Sequence, residues 1–156
     1  MMKKRSDVPR RFFSSSEHKR IVAAIGEAER QTSGEIRFHV ERDVPTGLPV
    51  EGDAYRRARV VFAELGMHAT AARNGVLIFM AVRSRRFAVI GDEELHLRVG
   101  EGFWEDVVDV MSAAFAEDRF GDGLCDGITL IGEKLRTHFP YSEHDINELS
   151  DDISFS

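Results

Sequence analysis

The sequence predicts an α/β fold: a three-layer α/β/α sandwich built on a small mixed sheet. Three observations predict it. Amphipathic helical segments alternate with short apolar runs, the stretch from Glu35 through Val82 reads as strand, helix and strand, and only four residues separate its second strand from a third. A βαβ crossover makes its two strands parallel, whereas a gap that short forces an antiparallel hairpin.

The elements follow in order. Ser14 and Glu17 fit the S-x-x-E capping box that satisfies free amides at a helix start. Ile21, Val22, Ile25 and Ala28 then recur at helical spacing, and Gly34 closes the segment. Ile36, Phe38 and Val40 alternate with Glu35, Arg37 and His39, the pattern of a strand with one polar face. Pro45, Gly47, Pro49 and Gly52 mark a loop. Tyr55, Ala58, Val61, Phe62 and Leu65 form the stripe of a second helix stopped by Gly66. The unbroken apolar run Val76 to Val82 suits a strand covered on both faces. Arg83 to Arg86 turn the chain into a third strand, Phe87 to Ile90. Two helices follow, one carrying Phe103, Val107, Val110, Met111, Ala114 and Phe115, the other Leu124, Ile128, Ile131 and Leu135, with Asp122 as its expected N-cap. Trp104 is expected to pack a helix start against the core.

These assignments divide the chain into a basic flexible start (1–11), an α/β domain (12–139) and an acidic, weakly structured tail (140–156). A chain of 156 residues buries roughly two-thirds of its unfolded surface and needs no staple. The net charge of −6 disfavours a nucleic-acid partner, because a phosphate backbone is bound by clustered Lys and Arg. Cys125 is the sole cysteine, which excludes an internal disulfide and a Cys-based zinc site within one chain. No apolar run reaches the ~18 residues of a membrane span. The first residues lack the apolar core of a signal peptide. A cytoplasmic protein without stable membrane association is therefore expected, its oligomeric state unknown.

Chain direction supplies a candidate site. Two parallel strands begin at one end of the sheet, and the antiparallel third finishes there. Glu35 opens the first strand, Asn74 precedes the second and Asp92 follows the third, so all three should meet at one rim, with Glu93 and Glu94 extending its acidity. Carboxylates converging with an amide oxygen form a hard donor set suited to Ca2+ or Mg2+. The alternative is that Asp92 and Glu93 cap the loop or the next helix and that Glu35 pairs with an arginine. Asp118, Asp122 and Asp126 lack the EF-hand loop pattern and are expected to cap and flank a helix. Neither a phosphate-binding loop nor a nucleophile elbow is found in the sequence, and no catalytic residue is assigned.

The segments Thr32-Ser33-Gly34-Glu35-Ile36-Arg37, Arg73-Asn74-Gly75-Val76-Leu77, Ile90-Gly91-Asp92 and Phe103-Trp104 resemble the core pattern of TPM domain proteins. The ending, His138-Phe139-Pro140-Tyr141 with Asp145, Asn147-Glu148-Leu149 and Asp151, is similar to the short cytosolic branch of that family. The likeness runs from about Phe12 onward. It implies an α/β/α sandwich, divalent-cation binding and, for some relatives, a phosphatase-like domain with acid phosphatase activity. Carried over, the positions are Glu35, Asn74 and Asp92. Phe12-Phe13-Ser14 stands where many exported relatives carry an aspartate-containing segment, and Glu94 stands where a glycine is usual. Both departures weaken a transfer of phosphatase activity. Two functions follow: a noncatalytic divalent-cation-binding domain acting through a protein partner, or a metal-assisted phosphomonoesterase. In the second, Glu35 and Asp92 would hold the ion, with Glu93 or Glu94 as acid–base.

Overall fold

The computed structural model describes residues 5–44, 53–70, 72–141 and 152–156. Strands β1 (Glu35–Glu41), β2 (Gly75–Ala81), β3 (Arg86–Gly91) and β4 (Ser154–Phe155) form one sheet in the order β3-β2-β1-β4. β1 runs parallel to β2, and β2 runs antiparallel to β3. Both relationships follow from the lengths of the connections.

Helices α1 (Pro9–Phe12), α2 (Ser15–Glu29), α3 (Ala54–Glu64), α4 (Glu93–Val99), α5 (Glu105–Ala116) and α6 (Phe120–His138) surround the sheet, with a 3-10 turn at Met67–Ala69. Ser14 caps α2 through the expected box, accepting from the Glu17 amide while Glu17 returns a bond to the Ser14 amide. Asp53 caps α3, accepting from the amides of Tyr55 and Arg56. Gly66, at φ 69°, ends the segment after α3 in the left-handed region that favours glycine.

The sheet separates two cores. On one face Ile36, Phe38, Val40, Val76, Ile78 and Met80 meet α2, α5 and α6. On the other, Leu77, Phe79, Ala81, Ala88 and Ile90 meet Ala58, Val61 and Phe62 of α3. Every residue of β2 is buried, the outcome its unbroken apolar run implies. In the thicker layer α6 approaches its neighbours closely. A Cβ at Gly132 would lie 2.8 Å from the Ala28 Cβ, and one at Gly127 would lie 2.7 Å from Met111.

The N-cap expected for the last long helix is corrected, and several local features add to what the sequence implies. The polar face of β1 is largely buried at Glu35, His39 and Glu41. A helix, α4, starts directly after Asp92, ahead of the two helices expected after β3. α6 begins at Phe120 with Arg119 as its N-cap residue; Asp122 sits inside the first turn and pairs with Arg20. The basic start includes α1 and an ion pair from Arg5 to Glu17 at 2.6 Å, and the last described residues add a strand to the sheet. Residues 45–52 and 142–151, which include the Pro45–Gly52 loop and most of the acidic tail, lie outside the described residues. Among the described residues no helix is long and apolar enough to cross a membrane.

Candidate functional site

Register brings the sequence-distant residues to one end of the sheet. Glu35 is paired with Gly75, Gly91 lies opposite Val76, and the Asp92 amide donates to the Gly75 carbonyl at 2.8 Å. Gly75 therefore sits between Glu35 and Asp92. Strand alternation puts Glu35, Gly75 and Asp92 on the α3 side of the sheet. Asn74 and Asp92 are 0% exposed and Glu35 is 5% exposed. Glu93 and Glu94 are exposed in the first turn of α4, where their charge complements the positive end of the helix dipole.

Asp92 does two jobs. Its Oδ1 accepts from the Glu94 amide at 3.0 Å, capping α4. Its carboxylate also receives Arg73 Nε, at 3.0 Å to Oδ2 and 3.2 Å to Oδ1. A carboxylate buried this deeply needs a counter-charge, since an ionised group is costly to desolvate alone. Arg73 supplies it from a left-handed backbone conformation, φ 52°, which is uncommon for a side chain of this kind. Its own side chain is 40% exposed. Asn74 Nδ2 donates to Ser33 Oγ at 3.3 Å, while its buried Oδ1 has no hydrogen-bond partner among the described residues. Glu93 pairs with Arg59 of α3 at 2.5 Å. Arg59, His68, Arg73, Asp92 and Glu93 line a cleft of about 350 Å3.

The donor chemistry of this rim, two carboxylates and an unsatisfied amide oxygen, suits a hard cation. In this arrangement, however, a guanidinium already occupies the counter-ion position beside Asp92. Among the described residues no group of three His, Cys, Asp or Glu side chains is placed to hold a metal ion. Arg73, adjacent to Asn74 in the chain and hence at the same rim, is the ion-pair partner of Asp92 that sequence reasoning overlooked. That adjacency was the available signal.

A second buried polar group lies at the opposite end of β1. His39 and Glu41, two apart and so on one face of the strand, are bonded at 3.1 Å, Nε2 to Oε2. Glu41 accepts from Arg57 of α3 at 2.8 and 2.7 Å. Burial alone would raise the Glu41 carboxyl, but the hydrogen bonds from His39 and Arg57 and the charge of Arg57 outweigh it and bring it down to about 2. The Cys125 thiol goes the other way, pushed up by burial, so thiolate chemistry is disfavoured there.

The model of the TPM domain matches residues 8–134. Among solved structures, the chain is similar to the BA42 protein from the psychrophilic bacterium Bizionia argentinensis, determined by NMR, with 39% sequence identity and a TM-score of 0.82. That similarity covers 93% of this chain and 96% of the other. No curated protein matches. With a family match over most of its length and a neighbour of the same fold, the chain belongs to the TPM domain family.

Proposed function

We propose that this chain is a noncatalytic TPM domain that responds to a divalent cation, Ca2+ or Mg2+, at the rim of Glu35, Asn74 and Asp92 and acts through a protein partner. The observation that carries this reading is a fully buried carboxylate, Asp92, balanced by a half-exposed arginine. An ion would compete with Arg73 for Asp92. Asn74 Oδ1, buried without a hydrogen-bond partner, offers a further oxygen, and Glu93 and Glu94 raise the local cation concentration at the rim. The ion would supply positive charge alone. The absence of hydrolytic chemistry rests on the charge balance of the cleft, where Arg59 and Arg73 are both committed to carboxylates.

Titration of the 15N-labelled chain with CaCl2 and MgCl2 tests the reading. Saturable shifts are expected at Glu35, Asn74, Gly75 and Asp92. Arg73→Ala should tighten binding on the order of tenfold, the equivalent of ~1.4 kcal/mol of lost competition, and Asp92→Asn should abolish it. Unchanged spectra at millimolar metal, in both the native chain and Arg73→Ala, would refute it.

One observation favours the phosphomonoesterase reading. His68, Arg59 and Arg73 share the cleft with Asp92, a mixture of cationic and titratable groups that fits a phosphoryl group. Hydrolysis of an aryl phosphate, with and without metal, should then fall on Asp92→Asn. Equal rates in both chains exclude the enzyme at this site.

A further inference from the structure

The outer edge of β1 is covered by a segment of the same chain. A sheet edge presents unpaired backbone groups that invite another strand. Here the Ile36 amide is taken by Glu29 Oε2 at 2.9 Å. Further along, His39 and Val40 pair with Ser154 and Phe155, and the Ser156 amide donates to the Val40 carbonyl at 3.0 Å. A strand of two residues is far shorter than the usual ~5–6, so backbone pairing alone is a weak hold. Side chains do the rest, and each of the five residues is met individually.

Asp152 Oδ1 meets His18 Nε2 at 2.8 Å, a bond that holds its carboxyl below the usual range. Ile153, 6% exposed, enters the larger core. Ser154 Oγ lies 2.7 Å from His39 Nδ1. Phe155 lies under the Arg10 guanidinium, 4.8 Å from it, and stacks with the His18 ring at 6.3 Å. Ser156 Oγ lies 2.8 Å from His39 Nε2. One imidazole thus contacts two hydroxyls of the segment. Its Nε2, the nitrogen that Ser156 meets, is shared with Glu41, which in turn accepts from Arg57, and neither of these belongs to the segment. The receiving surface is therefore organised by β1, α1, α2 and α3. This is the anatomy of strand addition, in which main-chain bonds give affinity and alternate side-chain contacts give selectivity.

We propose that the outer edge of β1, with Arg10, His18 and His39, is a peptide-binding site that residues 152–156 occupy in cis. Resting on the reading that the chain acts through a protein partner, this inference gives that partner a chemistry. It presents an extended segment carrying a carboxylate, an aliphatic residue, a hydroxyl residue, an aromatic residue and a second hydroxyl residue, in that order. The tethered segment competes at an effective concentration on the order of millimolar, so the partner binds by displacing it.

Fluorescence anisotropy with a labelled peptide of sequence Asp-Asp-Ile-Ser-Phe-Ser tests the site. The full chain bearing Ile153→Asp and Phe155→Ala, which releases the cis segment, should bind it at least about tenfold tighter than the native chain does. Adding His39→Ala should lower that affinity by about tenfold or more, as should replacing both peptide serines by alanine. A released variant that keeps its circular dichroism and melting transition yet binds no tighter overturns the proposal. So does equal binding of the serine-free peptide. Should the released variant unfold, the native chain decides: unlabelled peptide at ~10 mM must shift the amides of Val40 and Ser154 to Ser156, and their failure to move overturns the proposal equally. Neither result depends on metal, so a failed peptide site and a failed cation site remain distinguishable.

Discussion

Glu41→Gln is the sharpest probe of the buried network. Glutamine keeps the size of the side chain and part of its hydrogen bonding but removes the charge. The substitution leaves Arg57, whose side chain is only 18% exposed, facing a neutral amide. The carboxyl moves from 4.5 when unfolded to about 2 when folded, a displacement equivalent to about 3 kcal/mol of stabilisation. Because the folded value is the lower one, the unfolded chain takes up its proton first as pH falls. The stabilisation is fully present above about 4.5 and is lost as pH falls toward about 2. Urea unfolding at pH 7 should therefore show the variant weaker by about 3 kcal/mol, or roughly 6–12 °C in Tm for a chain of this size. Repeated at pH 5, 4 and 3, the gap between native and variant chains should hold at first and then narrow. A gap below ~0.5 kcal/mol at pH 7, the range of an ordinary surface change, or one that stays constant down to pH 3, refutes the assignment of that energy to Glu41.

Two other substitutions probe the scaffold. Gly132→Val drives a side chain against Ala28, whose Cβ is 2.8 Å and whose Cα is 3.2 Å from the first added carbon; a loss of about 1–3 kcal/mol is expected by thermal or urea unfolding, and an unchanged midpoint would contradict the close α2–α6 approach. Ser14→Ala removes the hydroxyl that accepts from the Glu17 amide at 3.1 Å. It should cost about 1 kcal/mol, visible as faster amide exchange in the first turn of α2, and native-like exchange there would deny the cap its role.

The sheet was legible because its signals are local. A seven-residue apolar run identifies a doubly covered strand, and a four-residue connection fixes the direction of its neighbour, so Glu35 and Asp92 were assigned to one rim from chain direction alone. What lay beyond was tertiary. Nothing near Arg73 says that its guanidinium turns toward Asp92 instead of water, because that depends on an unusual backbone angle and on a carboxylate 19 positions away. The alternation of Glu35, Arg37 and His39 identifies a strand with one polar face, but carries no sign that this face is buried. On that side α3 packs against β2 and β3 and reaches β1 by ion pairing through Arg57. β4 was invisible for a related reason. Two residues carry no periodicity, and their place is set by His39 and Val40, more than a hundred positions earlier.

The network of His39, Glu41 and Arg57 also bears on why β1 is not simply apolar. Desolvating such groups costs several kcal/mol per ion, and their mutual attraction repays it only when geometry is good. Replacement of a buried ion pair by well-packed apolar residues is often neutral or stabilising, so the assembled network is weak evidence for a stabilising role, even though removing one partner is expensive. Stability alone would be served by continuing the apolar pattern of β2 into β1. What the polar residues add is direction: Arg57 fixes Glu41, Glu41 fixes the His39 ring, and the ring meets both hydroxyls of the edge segment. A ring held that way favours a strand that brings a hydroxyl to each of its nitrogens, which is the selectivity that the proposed peptide site requires.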